Sequence, residues 1–191
     1  QEILNCEYAW KQQNHPQAVE IKHAEDGMNS VYSDFGASLS DGKVLFSSIR
    51  PENDSSKNYA SRIYSTEADD FAKVESIELE VLAPADISNP CMSTDGRRIY
   101  FSLTDDFAKG NTYIYQCNRT SEGWSEPQKL PEKINPQGYN STQPHLIEFG
   151  YRPDMLLWSS NRPDGEGGYD IYSCDILPDG SFGTVKNIGR P

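Results

Sequence analysis

Two short patterns recur along this chain at nearly constant intervals, and they constrain its fold more than any other feature. Ser47-Ser48-Ile49-Arg50-Pro51 returns as Ser159-Ser160-Asn161-Arg162-Pro163, and Ser61-Arg62-Ile63-Tyr64-Ser65 returns as Tyr169-Asp170-Ile171-Tyr172-Ser173. A degenerate middle copy, Ile99-Tyr100-Phe101-Ser102 followed by Tyr113-Ile114-Tyr115-Gln116-Cys117, has lost the Arg-Pro. The Ile-Tyr pairs begin at 63, 114 and 171, about 51 and 57 residues apart, and the serines at 47, 102 and 159 are about 55 and 57 apart. A period of roughly 40 to 50 residues with several strands per unit indicates propeller blades rather than a helical solenoid.

Each unit has the same order of parts. A short strand runs into a tight turn, as at Asp41-Gly42 and Asp95-Gly96, where glycine supplies the positive φ of a hairpin. A second strand, a polar loop, a third strand carrying the Ile-Tyr pair and an outer fourth strand follow. Residues 26–80, 81–133 and 134–191 read as three blades of four antiparallel strands. Residues 1–25 read as the second half of a preceding blade, because Glu2-Ile3-Leu4-Asn5-Cys6 aligns with Tyr113–Cys117 and with Asp170–Cys174. The expectation is one all-β domain, a partial β-propeller of about three and a half blades. Closed propellers have about four to eight, so the chain is expected to be a fragment or to assemble with another copy.

Alternation along Tyr113, Tyr115 and Cys117 against Ile114 and Gln116 has the period of two that strands impose. Ile and Tyr therefore lie on opposite faces, and both faces of a blade pack on neighbours. These residues are expected to form inter-blade core.

The formal net charge is −12, with 29 acidic against 17 basic residues and no local Lys/Arg cluster. Nucleic acid and anionic membrane surfaces are repelled by such a chain. No apolar run reaches the roughly 18 residues of a membrane-spanning helix. Cys6, Cys117 and Cys174 share one strand position in successive units, and sheets packed about 10 Å apart keep them beyond disulfide reach. Together with Cys91 they are expected to be buried free thiols. Scattered His15, His23 and His145 and the lack of Cys-x-x-Cys give no zinc site. The acidic, glycine-rich Asp164–Asp170 stretch lacks EF-hand spacing and reads as a solvated loop more readily than as a calcium site. Gly165-x-Gly167-Gly168 opens no helix and so lacks phosphate-binding context. No Gly-x-Ser-x-Gly elbow or sialidase-type Asp box occurs, although 29 acids leave room for a glycosidase carboxylate pair. No cofactor is expected.

Leu157-Trp158-Ser159-Ser160-Asn161-Arg162-Pro163 through Gly167-Gly168-Tyr169-Asp170-Ile171-Tyr172, with Leu177-Pro178-Asp179-Gly180 and Val185–Gly189, resembles the WD40-like propeller repeat of the TolB type, or PD40. It is most similar to the version in Bacteroidetes envelope proteins, where such propellers often precede an OmpA-like domain and include a component associated with type IX secretion. The resemblance implies a non-catalytic scaffold, periplasmic or outer-membrane associated, whose partners are envelope proteins. The loops joining second and third strands should emerge on one end of the disc and carry recognition. Their candidate partner-binding residues are Arg50, Glu52, Asp54, Asp105, Asp106, Lys109, Arg162, Asp164 and Glu166. The competing expectation is the propeller part of a hydrolase, either a prolyl-oligopeptidase-like peptidase or a glycosidase.

Overall fold

In the computed structural model, residues 2–15, 18–24, 27–51, 60–81, 85–104 and 110–189 are described. They form three four-stranded antiparallel sheets, each built from consecutive strands. The first contains β1 (Asp34–Ser40), β2 (Lys43–Ser48), β3 (Arg62–Glu67) and β4 (Asp70–Ser76). The second contains β5 (Asp86–Met92), β6 (Arg98–Thr104), β7 (Tyr113–Asn118) and β8 (Gln128–Lys129). The third contains β9 (Ser141–Ile147), β10 (Asp154–Ser160), β11 (Asp170–Ile176) and β12 (Lys186–Asn187). This is the blade order expected from the repeats, and the fold is a partial β-propeller.

One expectation is overturned. Glu2–Asn14 is a helix, α1, and not the strands of a half-blade. The segment has thirteen residues with no glycine or proline and with Leu4, Ala9, Lys11, Gln12 and Gln13 among them, so local helix propensity outweighs a five-residue likeness to a strand. Lys11 in the last turn complements the helix dipole. Cys6 is consequently exposed, whereas Cys91, Cys117 and Cys174 are buried free thiols.

Register makes the repeats equivalent residue by residue. Phe46 faces Tyr64, Phe101 faces Tyr115 and Trp158 faces Tyr172 across the second and third strands of each sheet. All three pairs stack, with ring centroids 5.9, 6.2 and 6.1 Å apart. Such offset pairs contribute about 0.5–1.5 kcal/mol beyond their buried area.

The two faces of each sheet then meet different neighbours. Leu45 and Ile63 of the first sheet pack with Ile99, Phe101 and Cys117 of the second. Tyr100 and Ile114 of the second pack with Leu156, Trp158, Tyr172 and Cys174 of the third. Tyr115 and Tyr172 look back toward the preceding sheet while Ile63 and Ile114 look forward to the next. That is the inter-blade core the alternation implies.

The innermost strands β1, β5 and β9 lie side by side, and each carries a bulge at the same register position. The bulged residue has positive φ in all three: Gly36 (64°), Asn89 (52°) and Gln143 (55°). Positive φ is the signature of a bulge whose first residue is left-handed. Pro90 and Pro144 follow directly, at a place where a strand tolerates the missing donor. The bulge also serves the stacking of blades: Asn89 N–H donates to Ser47 Oγ of the preceding sheet (2.8 Å), and Gln143 N–H donates to Ser102 Oγ (3.0 Å). Ser47 and Ser102 are the serines that marked the repeat.

Burial pushes the Cys117 thiol up to about 12 and the Cys174 thiol up to about 11. It also raises Cys91, against a lowering hydrogen bond from Leu146. These thiols stay protonated near neutral pH, and the thiolate is the nucleophile. Iodoacetamide at pH 8 is therefore expected to label Cys6 alone in the native protein and all four cysteines in denaturant, read by intact mass. Rapid labelling of Cys117 or Cys174 without denaturant would contradict the packing.

Candidate partner-binding surface

The loops between second and third strands were the expected recognition surface, and the structure divides their residues into three groups. Glu52, Asp54, Asp105, Asp106 and Lys109 lie outside the described residues. Arg50 and Arg162 turn inward. Asp164 and Glu166 stay exposed.

Arg162 is buried, and its guanidinium donates to Lys133 O (3.0 Å), Ile134 O (2.7 Å) and Ser160 Oγ (3.5 Å). It lies over both rings of the Trp158–Tyr172 stack, at 5.6 and 4.4 Å from their centroids. Arg50 repeats the arrangement: it donates to Gly27 O, Met28 O and Ser48 Oγ and covers the Phe46 and Tyr64 rings at 5.3 and 4.9 Å. The Arg-Pro motif is thus a clamp. A planar, five-donor cation holds the connector leading into its own blade and caps the aromatic stack. Burial lowers the Arg162 pKa, partly offset by Asp164. Arg50 also pairs with Asp34 at 2.8 Å. Burial raises the Asp34 carboxyl, but hydrogen bonds from Arg50, Ser48 and Ser30 together leave it below the usual value.

The connector under Arg162 is fixed from its other side by Asn135, which is buried. Its Oδ1 accepts from Ile114 N–H (2.9 Å), and its Nδ2 donates to Ile114 O (2.8 Å) and Leu130 O (3.0 Å). Nothing in the repeat pattern singled out this residue. Its partners are backbone groups, which leave no trace in sequence.

The loop 161–169 stands on this base. Asp170 Oδ2 accepts from Glu166 N–H (2.7 Å) and Gly167 N–H (3.0 Å), closing the loop as a cap. A side chain at Gly165 would run into that carboxylate, so glycine is required there. Tyr172 Oη donates to Asp164 Oδ1 (3.3 Å), Asn161 Oδ1 accepts from Asn140 N–H (2.7 Å), and Asn140 Nδ2 donates to Tyr169 Oη (2.8 Å). The acidic stretch is therefore an internally bonded loop presenting Asp164, Glu166 and Tyr169 to solvent. No group of three or more His, Cys, Asp or Glu suited to a metal occurs among the described residues.

At the opposite end, where the hairpin turns cluster, sequence reading missed a feature. A cleft of about 830 Å³ between the second and third sheets is lined by Arg97, Arg98, Arg119 and Arg152 with Asp95 and Asp154. Arg98 and Asp154 pair at 3.3 Å, and Arg119 lies 5.0 Å from the Trp124 ring centroid. Arg97 and Arg98 share one turn while Arg119 and Arg152 come from two others, so the grouping of the four is made by the fold. A second cleft, of about 510 Å³, lies between the first and second sheets beside Lys43, Glu75 and Trp124.

No family model matches the sequence, and no curated protein matches it. Among solved structures, the chain is similar to a putative TolB from Agrobacterium tumefaciens, at 18% identity and a TM-score of 0.48, covering 78% of this chain and 45% of that one. It is also similar to an endo-arabinase from Bacteroides thetaiotaomicron VPI-5482, at 13% identity and a TM-score of 0.51, covering 81% of this chain and 61% of that one. The chain thus spans about half to three fifths of the length of these two structures. No helix among the described residues is long and apolar enough to cross a membrane. At such identities the likeness extends to the fold alone, and that fold is the β-propeller.

Proposed function

We propose that this chain is a non-catalytic, protein-binding scaffold of the bacterial cell envelope, with the 161–169 end as its recognition surface. The observation that carries the proposal is the third-blade loop. Its backbone is fixed by Asp170 and its base by Arg162, while Asp164 and Glu166 are exposed residues on that rigid support. Fixed loops on a rigid scaffold bind without first losing conformational freedom.

The test uses the purified chain as bait on detergent-solubilised envelope extract, beside the double variant Asp164→Asn and Glu166→Gln. At least one captured partner should fall by about tenfold, roughly the 1.4 kcal/mol that one good charged contact supplies, with thermal stability unchanged. Retention of every partner by the variant, or fractionation of the native protein with the cytosol, would overturn the proposal.

A further inference from the structure

The cleft between the second and third sheets carries charge of the sign opposite to that of the chain. Arg97, Arg98, Arg119 and Arg152 share its volume of about 830 Å³ with Asp95 and Asp154, whereas the whole sequence holds 17 basic against 29 acidic residues. Both of these carboxylates already have partners. Asp154 Oδ2 accepts from the Arg98 guanidinium (3.3 Å), and Asp95 Oδ1 accepts from Ser93 Oγ (2.6 Å) and Arg97 N–H (3.0 Å). Among the described residues, Arg98 is the member of the four that forms an ion pair. The guanidiniums of Arg97, Arg119 and Arg152 remain open to a carboxylate from outside.

Two of these three side chains are held in place. Arg119 lies over the Trp124 ring at 5.0 Å from its centroid, and Arg152 lies over the Phe149 ring at 3.5 Å. A guanidinium stacked on a ring keeps its in-plane N–H donors, and those donors grip a carboxylate in pairs. Beside them stand Tyr151, 84% exposed between β9 and β10, and Leu177 and Pro178 between β11 and β12. Arginine and tyrosine beside apolar surface is the composition of the anchors in protein interfaces. A single phosphate fills a small part of such a cleft and leaves Tyr151 and Leu177 unused, whereas an extended peptide covers both.

We propose that this cleft docks an extended acidic segment of a partner protein, with its carboxylates on Arg97, Arg119 and Arg152 and its intervening side chains against Tyr151 and Leu177. The site lies at the other end of the sheets from the 161–169 loop and does not rest on that surface. The charge of the whole chain opposes such a ligand, and range decides which effect wins. At about 0.15 M ionic strength, charges more than about 8 Å apart are largely screened. A peptide in the cleft therefore meets four arginines and two aspartates rather than the net −12 of the chain. Extended backbone turns alternate side chains to one side, so glutamate at every second position addresses the arginines together.

The experiment follows the fluorescence anisotropy of a labelled peptide of about ten residues, glutamate alternating with threonine, titrated with the full chain at about 0.15 M salt. Saturable binding with a Kd of about 100 μM or tighter is expected. The double variant Arg97→Gln and Arg152→Gln should bind about tenfold more weakly, the loss that one good charged contact carries. Both substitutions fall at exposed sites, and an unchanged circular dichroism spectrum and melting temperature show that the fold holds. Lys73→Gln with Lys186→Gln removes the same charge from exposed sites outside the cleft and should bind as the native chain does. No saturation up to about 1 mM chain, or equal binding of a peptide with glutamine in place of glutamate, overturns the proposal. So does native affinity in the arginine variant, or a loss as large in the lysine variant. Displacement of the labelled peptide by pyrophosphate at about a tenth of the concentration that unlabelled peptide needs would mark a phosphate site and overturn it as well.

Discussion

Replacing Arg162 with alanine is expected to lower the unfolding free energy by about 2–4 kcal/mol, a large share of the stability of an ordinary domain. The substitution leaves the part-buried carbonyl of Lys133 without its donor, takes one of two donors from Ile134 O, which keeps Ser141 Oγ, and uncovers the Trp158–Tyr172 stack. Each orphaned buried polar group costs about 1–3 kcal/mol, and the lost ring contact adds about another 1 kcal/mol. Arg162→Lys keeps the charge but not the fork that reaches two carbonyls at once, so it should recover less than half of the loss. Urea unfolding followed by tryptophan fluorescence measures both variants, because Trp158 lies under the guanidinium. If Arg162→Ala unfolds within about 0.5 kcal/mol of the native chain, as exposed substitutions usually do, the arginine is a surface residue and the clamp is wrong.

Asn135→Ala should cost about 2–4 kcal/mol by the same logic, since buried groups left without partners are penalised more than hydrogen bonds are rewarded. It strands Ile114 N–H and Leu130 O, while Ile114 O keeps one donor in Leu130 N–H. Asn135→Asp tests the chemistry more closely. Aspartate can still accept from Ile114 N–H but cannot donate to Leu130 O or Ile114 O, and it buries a charge. It should be at least as destabilising as alanine near neutral pH and should recover stability as the pH falls and the carboxyl is protonated. A pH-independent loss in Asn135→Asp would contradict the assigned contacts.

These two residues mark where sequence reading reached and where it stopped. The strands were legible because their cause is periodic: Tyr64, Tyr115 and Tyr172 recur at one register, and Asp-Gly turns separate the strands. The innermost bulges were not legible, because glycine, asparagine and glutamine all serve at the positive-φ position and share no side-chain type. Arg50 and Arg162 looked like loop residues because polar neighbours surround them in sequence. Their partners are carbonyls of the connectors at residues 27–28 and 133–134, found only by folding the chain. The opening residues misled for the opposite reason. Ile3 and Cys6 match the repeat in letters, yet a stretch free of glycine and proline forms a helix by local preference. The loop at 161–168 was recognised as a candidate surface, but the division within it, with Arg162 buried and Asp164 and Glu166 exposed, needed the fold.

The propeller fold depends on consecutive sheets standing side by side, with Ser47 and Ser102 each meeting the bulge of the sheet that follows. Nuclear Overhauser contacts in the isotope-labelled chain test this directly. The expected result is a cross-peak from the Asn89 amide proton to the Ser47 side chain and another from the Gln143 amide proton to the Ser102 side chain. Absence of both, with the antiparallel contacts inside each sheet intact, would mean that the three sheets exist but do not stack as propeller blades.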